Sequence, residues 1–199
     1  MKALIGIFLS TLAMFVAGAV YWTNSFPYQS TEKAPDEIEA GKALLQHFPQ
    51  SGVYLLPFPM QDAERLESLH KSGPIAQLHL HRESLPMMDP KTFIYGFLHE
   101  FVCILLVALL LKAALPNLTT YGGRFGFVLL IGLIGSLFAN GGNVIWWHHS
   151  FAFNLKIFIY DAIAWSLVGL ILAGFIKPKI TPAPDSAATA HADAGAAAA

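Results

Sequence analysis

Two carboxylates stand where carboxylates are costly. Glu100 lies inside the apolar run 92–112 (TFIYGFLHEFVCILLVALLLK), next to His99, and Asp161 lies inside a second apolar run, 153–176. An ionisable side chain in the hydrocarbon of a bilayer costs several kcal/mol on most scales, so it faces protein or a water-filled cavity and marks a partner or a task. Read as a helix, run 92–112 puts Gly96, His99, Glu100, Cys103 and Val107 within about one third of its circumference at 3.6 residues per turn, leaving Phe101, Val102, Leu105, Leu106 and Leu109 for lipid. The two runs cross in opposite senses. Glu100 and Asp161 therefore each fall about 8 residues, about 12 Å, below the same end of the bundle. Asn154 and Trp165 share the face of Asp161, and His148 and His149 hang over the mouth of that end.

Two chemistries fit this constellation. His99, Glu100, Asp161, Asn154 and Trp165 describe an intramembrane polar site that takes up a proton. The set His99, Glu100, Asp161, His148 and His149 describes a metal site, since imidazole and carboxylate ligands suit iron, manganese or zinc. The structural alternative is a hydrogen-bonded carboxyl pair, or a carboxyl–histidine pair, that fixes helix packing. A weaker candidate is His79-x-His81, two imidazoles on one strand face followed by Met87 and Met88, a ligand set that suits copper. No third ligand stands at a defined spacing there, and an exposed strand carries polar side chains on its outer face in any case. His47 and His70 are lone residues on surface helices.

The elements that must position these residues are mostly apolar helices. The chain has 199 residues, of which 55% are hydrophobic and only 13% charged, and its mean hydropathy of +0.52 excludes an ordinary soluble enzyme. A net charge of −1 excludes the concentrated basic face that nucleic acid requires. Cys103 is the single cysteine, so neither an intrachain disulfide nor a thiolate cluster for zinc can form.

Four runs are long enough to cross the roughly 30 Å hydrocarbon core. Run 3–22 ends in the interfacial pair Tyr21-Trp22; a retained first helix is favoured by its length, against a secretory signal cleaved after the small residues Ala17-Gly18-Ala19. Run 92–112 is the second. The third, 125–140, carries Gly132 with Ser136 and Gly135 with Ala139, spacings of four that let membrane helices approach closely, and Asn140-Gly141-Gly142-Asn143 is expected to break it. The fourth is 153–176. Between the first two, residues 23–91 predict a small α/β module: a helix over 36–48, a strand over 53–56, a helix over 61–71 and a strand over 75–81, arranged as a βαβ-like unit on the membrane surface. From residue 177 the chain is Ala- and Pro-rich and is expected to be a disordered cytoplasmic tail.

Lys2, Lys112, Arg124, Lys177 and Lys179 gather on one side of the membrane by this layout, and 140–153 carries no Lys or Arg. The positive-inside rule then puts both termini in the cytoplasm and the module outside. The expected fold is membrane all-α, four transmembrane helices with a small α/β extracytoplasmic insertion between helices one and two.

The strings SGVYLLPFP, HKSGPIAQL and DPKTFIYGFL, with the Trp-Trp turn before an Asp-bearing last helix that closes in AGFIKP, resemble a group of small four-helix bacterial inner-membrane proteins of unassigned function. The resemblance covers most of the chain outside the Ala-rich tail. It implies a bacterial inner-membrane location and the four-helix layout with one extracytoplasmic insertion, and it brings no activity. No nucleophile–base pair, phosphate loop or dinucleotide fingerprint is present to indicate an enzyme. Two expectations follow. The first is a non-catalytic accessory or scaffold subunit with the bilayer, a larger membrane complex or further copies of itself as partners. The second is a small ion- or proton-coupled transporter, or a metal-binding membrane protein, that uses His99, Glu100 and Asp161.

Overall fold

The computed structural model describes residues 1–60 and 62–178, so the expected tail beyond residue 178 lies outside the described residues. Among the described residues, six α-helices and two strands follow in the order α1 (Lys2–Trp22), α2 (Glu37–His47), β1 (Gly52–Leu56), α3 (Ala63–Ser72), β2 (Ala76–Leu80), α4 (Pro90–Ala114), α5 (Tyr121–Trp147) and α6 (Phe151–Phe175). Four helices, α1, α4, α5 and α6, are long and apolar enough to span a membrane, which makes this a mostly helical, multi-pass membrane protein.

Short polar side chains start the helices. Asp36 accepts from the Ile38 and Glu39 amides, Asp62 from Arg65, Asp89 from Lys91, Thr120 from Gly123 and Ser150 from Phe153. Each satisfies amides that the first turn leaves without an intrahelical partner.

Helix α5 is longer than its sequence suggests. Asn140-Gly141-Gly142-Asn143 does not break it; the helix continues to Trp147. In hydrocarbon an interrupted backbone has no water to bond, so glycines that would end a soluble helix are carried through. The helix ends instead at His148, whose backbone is left-handed (φ 55°), with the His149 amide closing back on the Asn143 carbonyl at 3.1 Å. Ser150 then caps α6, and the two helices form an antiparallel hairpin.

Helix α6 is the centre of the bundle, packed on one side against α5 and on another against α1, which in turn packs against α4; α4 and α5 touch only lightly. Glycines set the closest approaches. A Cβ on Gly132 would overlap the indole of Trp165, one on Gly169 would come within 3.0 Å of the Phe125 ring, and one on Gly6 within 2.6 Å of Phe175 Cβ. Without a water-driven force between lipid-facing helices, such contact surfaces are what hold them together. The seam of α1 with α4 is aromatic instead: Phe15 meets Phe97 and Phe93 edge to face at 5.6 and 6.5 Å, and Phe8 meets Phe97 at 6.1 Å. Ile104, Leu111, Val128, Val168 and Leu172 are fully buried.

The small pairs read from α5 divide. Gly132 and Ser136 face α6, whereas Gly135 and Ala139 are exposed, with open space beside Gly135. The packed stripe runs Arg124, Val128, Gly132, Ser136, Asn140, five positions four apart, and Gly135 lies off it.

The strand–helix–strand segment is not a βαβ unit. β1 and β2 pair antiparallel, Gly52 opposite Leu80 and Leu56 opposite Ala76. A parallel crossover needs a helix that covers the sheet face with an apolar stripe, and α3 (AERLESLHKS) offers only Leu66 and Leu69. Neither α2 nor α3 buries a residue. The segment is held by a polar clasp: Ser51 Oγ donates to Glu83 at 2.8 Å and accepts from the Arg82 amide at 2.9 Å. The Arg82 guanidinium donates to the Leu45 and Phe48 carbonyls at the end of α2, and the Phe48 and Tyr54 rings meet at 4.7 Å. Hydrogen bonding to Ser51, then to backbone amide, holds the exposed Glu83 carboxyl below its usual range.

Candidate functional site

Asp161 is the organised end of the site. Ser136 Oγ donates to its Oδ2 at 2.6 Å and Asn140 Nδ2 at 3.3 Å, while the same Asn140 amide donates to Ser136 O and Oγ at 3.0 Å each. Ser136 and Asn140 are buried, one turn apart on α5, so the helix period alone presents both to the carboxylate. Trp165, one turn along α6 from Asp161, seats on Gly132 and closes the hydrocarbon side of this cluster. Three polar side chains thus satisfy one another across the α5–α6 seam.

Glu100 is the unsatisfied end. Its Oε2 is buried and accepts no hydrogen bond from the described residues. It comes from α4, which packs chiefly on α1 and touches α5 only lightly. Tyr160, one residue before Asp161 on α6, is half-buried against α1. Its hydroxyl lies 2.9 Å from where a Cβ on Gly18 would be, and its ring packs on Tyr21 and Trp22 at 5.3 and 5.7 Å. Tyr21 completes this aromatic layer by donating from its hydroxyl to the Lys156 carbonyl at 2.7 Å.

His99 does not share the inward face of Glu100. The buried face of α4 is Ile104, Val107, Ala108 and Leu111, and His99 is exposed, its Nε2 3.7 Å from Cys103 Sγ one turn along the same helix. At about 100° per residue, His99 cannot follow its neighbour inward once Glu100, Ile104, Val107 and Leu111 define the contact face. Asn154 is buried near the start of α6, donating to the Ser150 carbonyl at 2.9 Å, with its Oδ1 unpartnered. His149 Nε2 lies 3.2 Å from Gln77 Oε1 and so ties the α5–α6 turn to β2; His148 is exposed beside it. Among the described residues, no three His, Cys, Asp or Glu side chains gather closely enough to hold a metal ion. His79 and His81 have separate partners: His79 Nε2 is 3.0 Å from Gln77 Nε2, and His81 Nδ1 is 3.0 Å from the Glu83 carbonyl.

Four roles were missed in the sequence. Ser136 reads there as a small packing residue, Asn140 as a helix breaker and Tyr160 as nothing in particular. The available signal was the four-residue spacing from Arg124 to Asn140, which also hides Arg124. That residue reads as a topology charge but is only 4% exposed, its Nε donating to the Ala173 carbonyl at 3.1 Å and its NH1 to the Leu118 and Thr119 carbonyls at 3.2 and 2.7 Å. A cation there meets the negative end of α6.

No protein-family model matches the chain, and no curated protein or solved structure is significantly similar to it.

Proposed function

We propose that this protein is a non-catalytic accessory or scaffold subunit of a membrane, its four-helix bundle the anchor and the α2–β1–α3–β2 module the docking element. One observation carries this: neither helix of the module has a buried residue, while Ile38 (72% exposed), Val53 (58%) and Ile75 (50%) stand in the open. A two-stranded sheet is marginal without a covering layer, and in a scaffold a partner supplies that layer.

The location that goes with this reading is a bacterial inner membrane, both termini cytoplasmic and the module outside. Lys2, Lys112, Arg124 and Lys177 at one end of the helices support it. The packing of α1 through Ile7, Thr11 and Met14 supports a retained first helix. In mild detergent the full chain should run as a complex well above its 21.7 kDa. Replacing Ile38, Val53 and Ile75 together by Ser should release it as a folded monomer. A native mass of one chain, unchanged by that replacement, would overturn the reading.

A second reading is favoured by the orphaned Glu100 Oε2: a group that holds a proton or cation during ion-coupled transport. Proteoliposomes loaded with a pH dye separate the two, since only transport predicts a proton flux that Glu100→Gln abolishes with the fold intact.

A further inference from the structure

The bundle and the α2–β1–α3–β2 module share little packing: among the described residues, no helix or strand of the module lies extensively against a bundle helix. The tie between them is polar. His149, in the turn from α5 to α6, places Nε2 3.2 Å from Oε1 of Gln77 on β2, and both side chains are half-buried there. The nitrogen of the same Gln77 amide lies 3.0 Å from His79 Nε2, two residues along the strand. This chain of contacts fixes the ring protons. An amide oxygen only accepts, so His149 carries a proton on Nε2. An amide nitrogen only donates, so His79 Nε2 is bare and its ring is neutral.

We propose that Gln77 is a pH-sensitive clasp, which holds the module on the bundle while either His79 or His149 is neutral and releases it when both are charged. One amide has one donor end and one acceptor end. Turning it over exchanges the roles of the two rings, so either orientation serves one bare nitrogen and one N–H. A charged imidazole carries a proton on both nitrogens, and two charged rings bring two donors to a single acceptor. One contact is then lost, and two cations face each other across one side chain. Histidine changes charge between about pH 5 and 8. The docked arrangement excludes the doubly charged form, so docking holds on the neutral side and is lost as pH falls through that range. The surroundings leave the switch to these rings. β1 sets Val53 opposite His79 and Leu55 opposite Gln77, with Tyr54 on the other face of the strand. His81, next on the same face of β2, is engaged with Glu83, its Nδ1 3.4 Å from Oε2, and Glu83 also accepts from Ser51. Arg82 is spent on the carbonyls at the end of α2. Residues 140–153 include no Asp, Glu, Lys or Arg, and the other titratable side chain of the turn is the exposed His148.

The test measures the distance between module and bundle by electron–electron spin resonance on the full chain in phosphatidylcholine nanodiscs. Spin labels are placed at the exposed Ser68→Cys on α3 and Ser25→Cys beside the end of α1, with Cys103→Ser removing the native thiol. At pH 7.5 one narrow distance should dominate. At pH 5.5 the ratio of docked to undocked chains should fall about tenfold, the scale of one hydrogen bond. That window ends above the usual carboxylate range, so Glu83, held below it, stays charged throughout. His79→Gln keeps an acceptor for the Gln77 amide and cannot take a charge, so its distance should stay narrow at pH 5.5. Gln77→Leu should give the broad distribution at both pH values. A labelled chain with native His79 and Gln77 that is equally narrow at pH 7.5 and 5.5 would overturn the switch, as would a His79→Gln chain that broadens as much as it does. A broad distribution already at pH 7.5 would overturn the clasp itself.

Discussion

Ser136 of α5 donates a 2.6 Å hydrogen bond to Asp161 of α6, and that bond assigns the two intramembrane carboxylates different jobs. Asp161 Oδ2 accepts two hydrogen bonds from the neighbouring helix; Glu100 keeps a buried oxygen without a partner. Asp161→Asn should therefore be tolerated, because an amide oxygen still accepts from Ser136. Asp161→Leu should lower stability by about 1–3 kcal/mol, the penalty for stranding buried donors. Thermal unfolding of the detergent-solubilised chain checks this. Equal loss from Asn and Leu would mean that the negative charge itself, and not the hydrogen bonding, matters.

Gly132→Leu should destabilise the bundle by more than 3 kcal/mol, beyond the usual cost of overpacking, because the Trp165 indole occupies the space of even a Cβ. Gly135→Leu should be near neutral, since nothing lies within 4 Å of that position. The same melting experiment orders the two, and a reversed order would mean that Gly135 faces a helix of another subunit.

Arg124→Lys should cost about 1.5–3 kcal/mol, the range for hydrogen bonds to a charged group. A single ammonium cannot reproduce the fork that reaches Leu118, Thr119 and Ala173 together. Hydrogen exchange should show the loss first as fraying at the C-terminal end of α6.

The module should loosen in acid. Hydrogen bonds hold the Glu83 carboxyl below its ordinary value, so it binds protons less readily folded than unfolded. The stabilisation is then present above the ordinary carboxylate range and is lost as pH falls through the lowered folded value. Amide exchange in β1 and β2 should accelerate on acidification in the wild-type chain, and Glu83→Gln should remove that dependence. An unchanged pH profile in Glu83→Gln would assign the effect to another group.

Hydropathy and length were enough to place four spanning helices, because a bilayer demands about 20 apolar residues with every backbone group satisfied locally. Both requirements are written into consecutive residues. The end of α5 was not legible: Asn140-Gly141-Gly142-Asn143 carries a soluble-protein turn signal that the absence of water overrides. Nor was the sheet: strands over 53–56 and 75–81 could be read from the sequence, while their antiparallel pairing depends on α3 being too polar to cross a sheet face.

The site divides the same way. The sequence by itself determined that Glu100 and Asp161 lie inside apolar helices, which is a matter of neighbours along the chain. Only the tertiary structure decided their partners, because which way a helix is rotated depends on the helices it meets. The notch at Gly132 turns Ser136 and Asn140 toward Asp161, and the face built on Ile104, Val107 and Leu111 turns His99 out. Tyr160, in turn, takes its place from α1 and α6 meeting at Gly18.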